Sequence, residues 1–197
     1  MKNFKTLLVL AFISLTIISC NKDDDGDSGS SSSNFLKVGN KEYKLKAGVI
    51  EDYGSVSTGV FNFDVSLTTS SLTTVGGQVL PTDEIFSGIY FELYTSNENN
   101  LEKGVYNFST SGAANTFEYG DIIIDATLGE NEPIYYEISS GSFDVMDNGN
   151  TYNLKFQGQT ADGQNFSGAY KGSLTELVDS YEGRATSSSK KRAFSKK

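Results

Sequence analysis

Phe61-Asn62-Phe63-Asp64-Val65-Ser66-Leu67 alternates apolar and polar side chains without a break. Successive side chains of a strand point to opposite faces. This period of two therefore predicts a strand with Phe61, Phe63, Val65 and Leu67 buried and with Asn62, Asp64 and Ser66 on a wet face. Residues 85–93 repeat the pattern, with Ile85, Ile89, Phe91 and Leu93 on one side, while Tyr90 and Tyr94 make the other side aromatic and half-buried. Upstream, residues 35–38, a Gly39-Asn40 turn and the series Tyr43, Leu45, Ala47 and Val49 predict an opening hairpin. Downstream, strands are expected over 105–110, 116–125, 134–139, 142–147, 152–159 and 164–174.

Asp147-Asn148-Gly149-Asn150 and Asp162-Gly163 separate the last three of these strands. Both supply residues that tolerate positive φ, so the C-terminal third reads as a meander of tight hairpins. No helical period persists for three turns, and residues 174–181 are the one candidate for a short terminal helix. The fold class that follows is all-β: an antiparallel β-sandwich of about ten strands, with an open β-barrel as the alternative. Gly76-Gly77 and the polar gaps at 97–100 and 111–115 favour the sandwich, since they interrupt the continuous hydrogen bonding of a barrel.

Composition agrees and narrows the chemistry. The 197 residues include 13 Phe, 11 Tyr and 20 Gly but only 2 Pro and no Trp, which is sheet-and-turn material. The absence of His removes Ser-His-Asp and Cys-His chemistry and the commonest ligand of zinc and copper. The single cysteine, Cys20, rules out an intramolecular disulfide framework. No catalytic residue, metal ligand or cofactor is assigned from the sequence.

The amino terminus has a different character. Lys2 and Lys5 precede an apolar run over residues 6–18, interrupted only by Thr6, Ser14 and Thr16. The run is shorter than the roughly 20 apolar residues of a membrane span, and Asn21, Lys22 and three aspartates follow it at once, as in a cleaved export signal. Ile17-Ile18-Ser19-Cys20 resembles the lipobox of bacterial lipoproteins. The resemblance implies cleavage between Ser19 and Cys20 and a diacylglycerol on the Cys20 thiol. That family more often has Leu three residues before the cysteine and a small residue two before it, so Ile17 and Ile18 depart from the pattern while Ser19 keeps it.

Lys22-Asp23-Asp24 after the cysteine resembles the export signal of Bacteroidota-type surface lipoproteins, which implies an outer-membrane anchor facing the cell exterior. A secretory signal with a chance cysteine, and an acidic run serving only as a spacer, are the alternatives. Residues 21–26 also fit the opening of an EF-hand loop, but Ser32 occupies the position that needs a bidentate Glu. The chain thus divides into a signal peptide (1–19), an acidic and Ser-rich flexible linker (20–34), a β domain (35–180) and a basic tail expected to be disordered (181–197). The spacing of Gly104-Val105-Tyr106 and Gly168-Ala169-Tyr170-Lys171-Gly172 is similar to that of uncharacterised β domains in lipoproteins of the same group.

Charge sorts the partners. Loss of residues 1–19 leaves 14 basic residues against 25 acidic ones, a surface that repels nucleic acid. Residues 34–183 hold 21 acids and 7 bases, whereas Arg184, Lys190, Lys191, Arg192, Lys196 and Lys197 follow with no acid. The acid pairs Glu51-Asp52, Asp83-Glu84, Asp121 with Asp125, and Glu130 with Glu132 are the only candidates for glycosidase-type chemistry. Asp147-Asn148-Gly149-Asn150 and the Asp83-Glu84 loop are the candidate calcium loops. Tyr90, Tyr94, Tyr106, Tyr119, Tyr135 and Tyr136 are a candidate sugar-stacking set, although tyrosines on strands are mostly sheet packing. The expectation is a lipid-anchored surface protein whose non-catalytic β domain binds an extracellular glycan or a protein partner. A carboxylate-based hydrolase and an envelope-structural subunit are the alternatives.

Overall fold

The computed structural model describes residues 34–128 and 133–178. Ser19, Cys20, Lys22, Asp23 and Asp24, the tail from 181 and the pair Glu130 and Glu132 lie outside the described residues. Within them are thirteen strands and no helix: β1 (Phe35–Val38), β2 (Lys41–Lys44), β3 (Ala47–Ser57), β4 (Val60–Thr68), β5 (Leu72–Val75), β6 (Gln78–Pro81), β7 (Ile85–Thr95), β8 (Gly104–Phe108), β9 (Thr116–Thr127), β10 (Ile134–Asn148), β11 (Tyr152–Thr160), β12 (Asn165–Gly172) and β13 (Thr175–Val178).

Eleven of them form one sheet in the order β13-β3-β4-β7-β9-β8-β10-β11-β12-β1-β2, and β5 and β6 make a separate hairpin. All pairings are antiparallel except β13 with β3 and β8 with β9, so the sheet is mixed rather than purely antiparallel. The all-β class stands, with the sheet curled into a half-barrel. Ring positions require the curl. β7 and β11 are three strand steps apart through the β9–β10 pairing, which on a flat sheet is about 14 Å. The Phe91 and Phe156 rings nevertheless lie 5.5 Å apart, and Phe91 and Phe143 4.8 Å apart.

The apolar residues of β1, β4, β7, β9, β10, β11 and β12 therefore meet in one cluster on the inner face. Phe91, Phe117, Phe143, Leu67 and Leu93 are fully buried there, each removing apolar surface worth about 1.5–3 kcal/mol from water. Two glycines make room for this packing. Gly158 stands opposite Phe166, and Gly168 opposite Phe156. A Cβ at Gly158 would lie 2.8 Å from the Phe166 ring, and one at Gly168 2.2 Å from the Phe156 ring. Each ring thus covers its cross-strand glycine, a pairing that also pins the register.

Several expectations change. The predicted hairpin over 35–49 breaks at Lys46, whose N–H donates to the Thr68 carbonyl at 2.8 Å. Beyond it, β3 pairs with β4, so Ile50 opposite Val65 takes the core place and Val49 opposite Ser66 faces outward. Residues 134–139 and 142–147 are one strand, β10, whose register shifts between Ile138 and Ser140, just ahead of the positive-φ Gly141. Gly76-Gly77 is the turn of the β5–β6 hairpin, with φ of +59° and +81°. Residues 175–178 are strand rather than helix, because the backbone finds hydrogen-bond partners along β3. The meander β10-β11-β12 is as expected, although Gly163 has a positive φ and Gly149 does not.

Candidate functional site

The polar side of the decisive strand is not wet. Asn62, Asp64, Ser66 and Thr68 are all buried, with Asp64 only 3% exposed. They lie on the outer face of the sheet, and the register aligns them with the outer residues of neighbouring strands. Glu51, Asp64, Glu92 and Tyr119 form one row across β3, β4, β7 and β9. Val49, Ser66, Tyr90, Asp121 and Glu137 form the next, which reaches β10.

Hydroxyl and amide donors point into these acids. The Tyr90 hydroxyl donates to Asp64 Oδ2, and Asn62 Nδ2 donates to Asp64 Oδ1 and to the Leu93 carbonyl, each at 3.2 Å. The Tyr119 hydroxyl donates to Asp121 Oδ2 at 3.2 Å. The Tyr94 hydroxyl lies 2.5 Å from Glu92 Oε1 and 3.1 Å from Glu118 Oε2, so one phenolic proton serves two carboxyl groups. Glu118 reaches this position through a bulge: Glu92 pairs with Tyr119 and Leu93 with Phe117, which leaves Glu118 as the extra residue. Burial first, and the Asp64 carboxylate second, push the Tyr90 phenol far above its ordinary range. Burial and the bond to Glu92 do the same for Tyr94. Both tyrosines are thus neutral donors at physiological pH. Glu51, Asp64, Glu92 and Asp121 all have interacting neighbours.

One strand pair further along, the outer face becomes apolar. Phe86, Ile123 and Ala126 form a small buried cluster separate from the core. Acidic and apolar surfaces therefore adjoin on β7 and β9.

The six tyrosines do not make one stacking platform. Tyr106 is fully buried and Tyr136 packs against the core, both on the inner face. Tyr90 and Tyr94 are buried within the acid network, while Tyr119 is half-buried and Tyr135 is exposed. The acid pairs also separate. Asp52 accepts from the Gly54 N–H at 2.6 Å, and Asp83 pairs with Lys46 at 2.8 Å. Asp125 stands at a bend with φ of +52° and is exposed, unlike Asp121. In the 147–150 turn, Asp147 pairs with Lys103 at 2.8 Å. Among the described residues, no three acidic side chains converge as a metal site would require.

A shallow depression of about 600 Å³, lined by Glu102, Lys103, Gly104, Val105, Asn115 and Asn148, lies elsewhere on the surface. Its wall is braced by Asn148 Nδ2 donating to the Leu101 carbonyl at 2.6 Å and by Asn100 Nδ2 donating to the Asn148 carbonyl at 3.0 Å.

Sequence reading missed Asn62, Asp64, Glu92 and Glu118 as site residues. Their signal was present as a second period of two, with tyrosine and acid alternating in Tyr90-Phe91-Glu92-Leu93-Tyr94 behind the apolar period. Comparison with known proteins finds no match: no family model, no curated protein and no solved structure matches the chain.

Proposed function

We propose that this protein is a lipoprotein held through Cys20 in the outer membrane and facing the cell exterior, whose β domain binds a Lys- or Arg-rich segment of a protein partner. The anchor rests on the lipobox resemblance at residues 17–20 and the Lys22-Asp23-Asp24 segment. The binding role rests on one observation: Glu51, Asp64 and Glu92 stand in register on three adjacent strands. Acidic side chains gathered in one row favour a cationic partner.

The chemistry selects the ligand class. The half-buried Glu92 and Glu118 carboxyl groups, ordered by Tyr94, are preorganised acceptors, and guanidinium and ammonium groups are the donors that complement them. A sugar platform loses support, because four of the six candidate tyrosines lie in the core or within the acid network.

Two experiments test the two halves. Replacing Cys20 with Ala should move the protein from the membrane to the soluble fraction, and unchanged membrane retention would contradict the anchor. In a panel of basic peptides, acidic peptides and neutral oligosaccharides, the mature protein should retain the basic peptides, with affinity falling as salt rises. Retention of oligosaccharides or acidic peptides alone would overturn the binding role.

A further inference from the structure

We infer that the depression beside β8 is a second binding site, one that takes the acetamido group of an N-acetylated neutral sugar. It lies apart from the acidic row and does not depend on the reading of that row.

The site originates in the way β8 is wedged into the sheet. β8 pairs with β10 over Gly104–Asn107, but with β9 only at Asn107 and Phe108. Over residues 104–106 its other edge therefore has no strand beside it, because β9 starts at Thr116, opposite Asn107. The Asn107 N–H points to that side and donates to the Asn115 carbonyl at 3.3 Å, as the Ser109 N–H does to the Phe117 carbonyl at 2.9 Å. Backbone polar groups of alternate strand residues point the same way, so the N–H and C=O of Val105 face the gap. The depression of about 600 Å³ opens at this edge, with Gly104, Val105 and Asn115 among its walls. Small-ligand sites span roughly 300–1,000 Å³.

The gap admits one amide and not a strand. Asn107, the next residue of β8 with its N–H on this side, is already bonded to Asn115, so a peptide laid along β8 would find only Val105 to pair with. A lone acetamido group fits that opening. Its C=O accepts from the Val105 N–H, a neighbouring ring hydroxyl donates to the Val105 C=O, and its methyl lies against the Val105 side chain, which is 49% exposed. The acetamido N–H and the remaining hydroxyls find Glu102, Asn115 and Asn148.

These polar walls are set before a ligand arrives. Glu102 Oε2 accepts from the Ser96 hydroxyl at 2.6 Å, and the Glu102 carbonyl accepts from the Tyr106 hydroxyl at 2.9 Å. Asn148 is held by its bonds with Asn100 and Leu101, and the Tyr152 hydroxyl donates to Asn100 in turn. Asn115, at φ of +61°, is fixed by its own N–H, which donates to the Tyr94 carbonyl at 2.8 Å, and it is exposed. Groups ordered in advance lose little freedom on binding. Lys103 is engaged by Asp147, so Glu102 turns anionic sugars away.

The test is a titration of the mature, isotope-labelled protein with N,N′-diacetylchitobiose, followed by amide chemical shifts. Saturable shifts are expected at Gly104, Val105, Asn115 and Asn148. Cellobiose, which carries hydroxyls in place of the acetamido groups, should produce none that saturate. Asn115→Gly tolerates the positive φ and removes only the side-chain amide, while Glu102→Gln removes the charge. Each should weaken binding at least threefold, with near-ultraviolet circular dichroism as the check on folding. No saturable shift, equal binding of cellobiose, or full binding by both folded variants would overturn the proposal. Equal binding of a short neutral peptide, acetyl-glycyl-glycine amide, would do so too, since the gap would then accept a strand. Failure here leaves the basic-segment reading intact, because that reading expects its shifts on residues 90–94 and 118–123.

Discussion

The two faces of β4 are built from alternate residues of the same nine-residue strand, and both are buried for opposite chemical reasons. Inward, Phe63, Val65 and Leu67 join a cluster in which rings from β7, β9, β10 and β11 touch. Outward, Asn62, Asp64 and Ser66 join hydroxyls and carboxylates. Burial on the inner face is favourable group by group. Burial on the outer face is tolerable only where each polar atom meets a partner, since an unsatisfied one costs about 1–3 kcal/mol. The inner face thus gains from every group it buries, and the outer face holds together only through completed polar pairs.

Substitutions can break that division of labour. Phe91→Ala removes the ring that joins Phe117, Phe143 and Phe156, and it should cost about 3–5 kcal/mol in urea unfolding. A loss below about 1 kcal/mol, within reach of a site that collapses around the gap, would show that the inner face is not jointly packed. On the outer face, Asp64→Ala takes the acceptor from the Tyr90 hydroxyl and from Asn62. The expected loss is smaller, about 1–3 kcal/mol, and Asp64→Asn should recover part of it by restoring an acceptor. Equal costs for Phe91→Ala and Asp64→Ala would erase the contrast between the faces.

Legibility followed the same division. The inner face could be read because apolar periodicity reports burial directly, so the strands carrying Phe63, Phe91, Phe143 and Phe156 were all anticipated. The outer face could not, because alternation says that Asp64 points away from the core and nothing about what meets it there. Glu118 was hidden further, since a bulge places it on the face and bulges leave no periodic trace. The strand at 175–178 was misread as helix because its pairing with β3 joins residues more than a hundred positions apart, a contact that no local pattern encodes. The lipoprotein features at Cys20 belong to a different kind of reading, carried by motif resemblance alone.

The buried tyrosines sharpen the comparison through pH. Tyr90 and Tyr94 titrate well above 10.0 in the folded protein and near that value when unfolded. Their contribution is therefore fully present below pH 10 and is lost as pH rises through the folded values, because the unfolded chain releases those protons first. Alkaline unfolding should set in above pH 10, and Tyr90→Phe should shift its midpoint upward relative to the otherwise less perturbed background. A midpoint that ignores Tyr90→Phe would mean that the outer face does not hold this phenol neutral.

The most direct test of the outer face as the binding surface is amide chemical-shift mapping of the mature, isotope-labelled protein titrated with a Lys- and Arg-rich peptide. The expected result is a saturable set of shifts confined to Asn62–Ser66, Tyr90–Tyr94 and Glu118–Ile123, diminishing with added salt. Shifts gathered instead around Glu102, Asn115 and Asn148, at the shallow depression, would contradict the assignment of binding to this face.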